Sequence, residues 1–145
     1  TFPYFSASNT VTLGSITTAG RALLDDANAA AQLVTLGAQS RSPAIQSVVS
    51  AATVTPTFSD DEVIVTAQAA GLALANPTGT AIDGLGIVIR IKDDGTARAI
   101  SFDTQYRAIG VTLPTTTVIS KVLYIGMIYN ATETKWDVVS VVQQA

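Results

Sequence analysis

The spacing of apolar positions divides the chain into two parts. Over Thr12–Gly37, TLGSITTAGRALLDDANAAAQLVTLG, apolar residues recur at helical intervals. Thr17 or Thr18 is placed to cap a short helix over Gly20–Leu24. Asp25 or Asp26 is placed to cap a second over Ala27–Leu36, with Gly37 as a left-handed stop. Each piece is at or below the roughly 12–15 residues at which an isolated helix becomes marginal in water, so both need packing partners. Leu23, Leu24, Ala27, Ala30, Ala31, Val34 and Leu36 form an apolar surface that must be covered. Other copies of the same segment would cover it, since Ala29, Ala30 and Ala31 allow close approach around an axis. The alternative cover is the chain's own β-region. The first solution makes residues 1–42 an extended segment followed by an oligomerisation neck, with Leu23, Leu24, Ala27, Ala30, Val34 and Leu36 at its interface.

From Ala44 onward the period drops to two, with turn residues between short runs. Ile45–Ala51, Thr53–Phe58, Glu62–Ala67 and Leu72–Ala75 read as strands, with Val63, Val65 and Ala67 on one face. Gly86–Phe102 reads as a hairpin. Ile87, Ile89 and Ile91 alternate with Val88, Arg90 and Lys92, Asp93-Asp94-Gly95 reverses the chain, and Arg98–Phe102 returns. Asp103–Gly110 reads as a loop. Lys121–Tyr129 is apolar on both faces: Leu123, Ile125 and Met127 on one, Val122, Tyr124 and Ile128 on the other. Two dry faces require two covers, a second sheet of the same domain and a neighbouring subunit. Asn130–Thr134 then loops into Trp136–Gln143. The fold class expected is mainly β, an antiparallel sandwich or jelly roll over residues 43–145, preceded by the helical neck.

Composition sharpens this picture. Only 13% of the 145 residues are charged, about half the usual fraction, which agrees with surface buried in an oligomer. The net charge is −3 and the eight Lys and Arg residues are scattered, so no nucleic-acid partner is expected. No apolar run approaches the roughly 18 residues of a membrane span, so no membrane insertion is expected. There is no Cys and no His, which removes thiolate chemistry, the usual general base and the commonest transition-metal ligand. The chain is expected to be no enzyme and to use no metal and no cofactor. It opens on Thr1, and Met127 is its sole methionine, so a piece of something longer is expected.

Thr17–Gly37, TTAGRALLDDANAAAQLVTLG, resembles a segment of tailed-bacteriophage tail fibres and tailspikes that precedes a distal domain. Asn76–Thr117, NPTGTAIDGLGIVIRIKDDGTARAISFDTQYRAIGVTLPTTT, and Lys121–Gln143, KVLYIGMIYNATETKWDVVSVVQ, resemble the C-terminal receptor-binding β-region of such fibres, from phages of Gram-negative hosts such as Acinetobacter. The resemblance implies a homotrimer on the virion, outside the cell. It implies a distal position on the fibre and recognition of a bacterial surface glycan, lipopolysaccharide or capsule. A structural trimerisation cap and a carbohydrate-cleaving module are the alternatives.

Candidate chemistry is sparse. Asp60-Asp61-Glu62 and Asp93-Asp94 lack calcium-loop spacing and read first as acidic turns. Asp83, Asp103 and Asp137 lie near aromatics, but their spacing selects no glycosidase pair. Asn130-Ala131-Thr132 fits a glycosylation acceptor and, in a bacterially made chain, is a turn. A weak sugar site needs an aromatic face flanked by hydrogen-bonding groups. Asp103, Gln105, Tyr106 and Arg107 supply that set within one loop, and Lys135 with Trp136 supplies a second. The competing assignment for both aromatics is core packing.

Overall fold

The architecture comes from a computed structural model, which describes residues 2–7, 10–14, 17–37 and 42–145. The chain forms two units, Thr1–Ser42 and Pro43–Ala145.

In the first unit, β1 (Phe2–Ala7) and β2 (Thr10–Gly14) pair antiparallel, where the aperiodic sequence indicated only extended chain. Helix α1 spans Thr18–Leu24, and its cap is Thr17, whose hydroxyl accepts the Gly20 N–H at 3.1 Å. Helix α2 spans Ala29–Thr35. Its expected cap at Asp25 or Asp26 is corrected to Asn28, whose Oδ1 accepts the Ala31 N–H at 3.0 Å. Asp25 is already engaged as the C-cap of α1, its N–H bonded to the Arg21 carbonyl. Gly37 ends α2 at φ +65°, the left-handed conformation expected of it. Leu24, Val34 and Leu36 are 70%, 80% and 63% exposed, and Ala27 and Ala30 are exposed as well. The Leu23 side chain and linker positions 38–41 lie outside the described residues.

The second unit contains a six-stranded and a three-stranded sheet. Strands β3 (Ile45–Val48), β5 (Glu62–Gln68) and β7 (Gly86–Asp93) lie side by side and parallel in the first. Strands β4 (Thr53–Val54), β6 (Leu72–Leu74) and β8 (Ile100–Phe102) lie parallel in the second. The chain therefore alternates between sheets, winding through three successive rungs. Strands β10 (Val122–Asn130) and β11 (Lys135–Gln143) then extend the larger sheet as an antiparallel hairpin against β7. Strand β9 (Tyr106–Ala108) closes its far edge, parallel to β11.

The mainly β class holds, but an all-antiparallel arrangement is corrected to mixed sheets. Parallel neighbours need a crossover between them. Here each crossover between successive rungs carries a strand of the other sheet, while the one from β9 to β11 carries β10 of the same sheet. The expected Gly86–Phe102 hairpin is likewise absent, because Asp93-Asp94-Gly95 turns the chain from β7 into the second sheet, where β8 pairs with β6 instead.

One core lies between the sheets. Val63, Val65, Ile87, Ile89, Ile91, Leu123, Ile125 and Met127 enter it from the larger sheet, and Val54, Leu72, Leu74 and Ile100 from the smaller. Its corners are polar and hydrogen-bonded. A bulge after Val65 sets three residues of β5 against two of β7, so Gln68 pairs with Asp93 and turns inward in place of Ala67. Gln68 is fully buried; its Nε2 donates to the carbonyls of Ala51 at 2.7 Å and Ala70 at 2.9 Å. Its Oε1 accepts the Ala51 N–H at 3.2 Å. Buried polar groups persist only when satisfied in this way.

Candidate functional site

Register brings the two sequence-derived clusters together. Tyr106 sits opposite Trp136, and Arg107 opposite Asp137, on the paired strands β9 and β11. Lys135 Nζ donates to the Thr104 carbonyl at 2.7 Å. The two sets are one neighbourhood.

The aromatic faces expected there are corrected. Trp136 is 0% and Tyr106 7% exposed, so neither ring faces solvent. Trp136 packs against Phe58 and Tyr129, with ring centroids 5.3 and 5.2 Å away. Tyr106 packs edge-on to Phe102 at 5.5 Å and donates its hydroxyl to the Ala75 carbonyl at 2.9 Å. Burial pushes the Tyr106 phenol pKa up, and the nearby Asp103 charge adds to the rise. Both side chains belong to the core that stiffens this end of the sheets.

The polar members hold the framework. Asp103 accepts the Thr104 N–H at 2.7 Å and the Asn76 N–H at 3.4 Å. Gln105 donates its N–H to Asn76 Oδ1 at 2.9 Å and gives its carbonyl to the Trp136 N–H at 2.8 Å. Arg107 bonds Asp137 at 2.8 Å through Nε and pairs with Glu133 through Nη1. The hydrogen bonds to Glu133, then to Asp137, hold the guanidinium pKa above its ordinary value. Asp137 is also the acceptor of Asn130 Nδ2 at 3.4 Å.

Beside this network lies an open depression of about 400 Å³, lined by Asp83, Gly84, Ile109, Ile128, Tyr129, Asn130, Thr132, Asp137 and Val139. Three elements form it. The Asp83-Gly84 turn reaches it because the Gly84 N–H bonds the Tyr129 carbonyl at 2.9 Å, and Asp83 Oδ1 accepts the Ala131 N–H at 2.9 Å. The β10–β11 hairpin supplies Ile128, Asn130, Thr132 and Val139. Ile109 follows β9, its N–H bonded to the Val138 carbonyl at 2.9 Å.

Asp83 and Asp137 thus meet at one depression, while Asp103 does not line it. Ile109, Val139 and Thr132 are members that the sequence reading missed. A usable signal existed for Val139, which breaks the alternation of Trp136–Val138; a bulge there sets Val138 opposite Met127 and Ser140 opposite Gly126. Among the described residues no group of three or more metal-ligating side chains occurs, and no helix is long and apolar enough to cross a membrane. No protein-family model, curated protein or solved structure matches the chain.

Proposed function

We propose that this chain is the distal region of a bacteriophage tail fibre. It assembles as a homotrimer and binds a glycan on the host bacterial surface, lipopolysaccharide or capsule, to adsorb the virion. The observation that carries the reading is the open depression, which combines apolar floor residues and hydrogen-bonding groups on a frame fixed by buried aromatics. Sites of that kind are weak singly. Three on one axis, and several fibres on one particle, raise effective concentration and make attachment firm.

Trimerisation draws support from the apolar surface of the helical unit. Leu24, Val34 and Leu36 are exposed in a single chain. The resemblance of Thr17–Gly37 to fibre segments points the same way.

Light scattering of the purified chain is expected to give three times the single-chain mass of 15.0 kDa. Leu24→Asp with Val34→Asp puts charges into a buried seam at a cost of several kcal/mol per subunit, so the trimer dissociates while the β-unit stays folded. The wild-type chain is expected to bind Gram-negative cells, Acinetobacter first, with isolated polysaccharide competing. A trimer that binds no strain in a broad panel would be a structural cap rather than a receptor-binding tip. A monomer at micromolar concentration would overturn the assembly.

A further inference from the structure

We infer that the depression between the Asp83-Gly84 turn and the β10–β11 hairpin takes an uncharged pyranose, a neutral hexose or N-acetylhexosamine, rather than an acidic sugar. This names the ligand class for the receptor-binding reading and rests on it.

Shape and surface come first. A volume of about 400 Å³ falls within the roughly 300–1,000 Å³ of small-molecule sites, and the open mouth admits the end residue of a longer chain. Ile109, Ile128 and Val139 are 44%, 46% and 45% exposed. They offer an apolar floor to the C–H face of a sugar ring, in place of the aromatic stack that Tyr106 and Trp136 cannot provide. Around that floor stand the Thr132 hydroxyl, the Asn130 amide and the Asp83 and Asp137 carboxylates. Together they both donate to and accept from sugar hydroxyls.

Charge then selects among sugars. Carboxylates from Asp83 and Asp137 line the depression, and Glu133 stands beside it through its pair with Arg107. Arg107 is committed to Glu133 and Asp137, and Lys135, which keeps its charge while Nζ donates to the Thr104 carbonyl, is not among the residues lining the depression. A uronate or sialate carboxyl would enter a negative field with no cation among the described residues that line the depression. An uncharged ring carries no such penalty. The carboxylates are strong acceptors for its hydroxyls, roughly twice as strong as neutral groups.

The test is a titration of the full 145-residue chain followed by amide NMR. The probes are glucose, galactose, mannose, N-acetylglucosamine and N-acetylgalactosamine, with glucuronate and galacturonate as the charged set. At least one neutral sugar is expected to shift the amides of Ile109, Ile128, Asn130, Thr132 and Val139 saturably, with Kd on the order of 1 mM. Uronates are expected to bind at least about tenfold more weakly. Thr132→Val, in an exposed turn, and Val139→Glu are each expected to weaken binding about tenfold or more with melting unchanged. Tighter uronate binding, saturable shifts mapping elsewhere, or no saturation by any neutral sugar at roughly fifty times that Kd overturns the inference. Should Val139→Glu misfold, Thr132→Val alone decides. Cell adsorption that survives Thr132→Val would leave the fibre-tip reading standing and remove this site from it. Sugar binding here without adsorption to any strain would do the reverse.

Discussion

Trp136→Ala is expected to destabilise the β-unit by about 3–5 kcal/mol, the usual range for deleting a large buried aromatic. That is a large share of the roughly 5–15 kcal/mol available to a domain. Trp136 is fully buried against Phe58 and Tyr129, and the latter two rings themselves meet edge-on at 4.8 Å. Removing the indole opens a cavity beside Phe58 and Tyr129, and the pairing of β11 with β10 and β9 keeps the backbone from collapsing into it. Among the described residues the indole N–H has no hydrogen-bond partner, so the loss is one of packing. Trp136→Phe, which removes the unpaired donor and part of the volume, is therefore expected to cost much less. Urea denaturation is run in the Leu24→Asp/Val34→Asp background, which is expected to be monomeric, so that assembly stays out of the measurement. An unchanged midpoint for Trp136→Ala would show that the ring is peripheral to the packing of the β-unit.

The fate of Trp136 shows what the sequence could convey. In Lys135-Trp136-Asp137-Val138 the polar residues flank the aromatic because they alternate with it on a strand, and a period of two already places Trp136 and Val138 inside. Chemical type pointed outward while position pointed inward, and position governs burial. Tyr106 was harder to read, since β9 has only three residues, too few for a period to declare itself. Strand existence was legible wherever alternation was long: Ile87, Ile89 and Ile91 are all buried, and so are Leu123, Ile125 and Met127.

Strand partners were not legible. Alternation tells which face a side chain occupies but not which strand lies beside it. Asp93-Asp94-Gly95 has the residues of a hairpin turn, and the same residues serve a corner between sheets, with Gly95 at φ +96°. The parallel winding is a property of the connections, whose crossovers here carry a strand of the other sheet instead of a helix. Gln68 was hidden for a related reason. Without the bulge, the inward position falls to Ala67, and no local signal in Thr66-Ala67-Gln68 announces the extra residue. The depression was invisible in turn, because Asp83, Ile109 and Thr132 come from three separated segments that the pairing of β9 with β11 and the docking of the Asp83-Gly84 turn bring together.

Acid is expected to destabilise the β-unit through Asp93. This side chain is 3% exposed and holds the corner where β7 leaves the larger sheet. Oδ1 accepts the N–H groups of Ser120 at 2.8 Å and Gly95 at 3.0 Å, and Oδ2 accepts the Thr117 hydroxyl at 2.7 Å. Thr117 Oγ1 in turn accepts the Arg98 N–H at 2.9 Å. Burial pushes the carboxyl pKa up. The bonds from Ser120, Thr117 and Gly95 and the Arg98 charge outweigh that and hold it below the ordinary carboxylate value. A folded pKa below the unfolded one contributes stability that is fully present above the unfolded value, about 3.9, and is lost as pH falls through the folded value. Stability measured by denaturant should therefore decline below about pH 4, and Asp93→Asn should flatten that decline, because an amide does not titrate there. Asp93→Ala at neutral pH should be the more damaging change. It leaves the Ser120 and Gly95 N–H groups and the Thr117 hydroxyl without their acceptor, at about 1–3 kcal/mol for each donor that water cannot reach. Asn keeps an oxygen for the two N–H groups, and its amide can donate to Thr117, whose hydroxyl is free to turn. The order expected in denaturant midpoint at pH 7 is wild type, then Asp93→Asn, then Asp93→Ala well below both. If Asp93→Asn declines below pH 4 as steeply as wild type, other carboxylates carry the acid transition and the corner is held by packing alone.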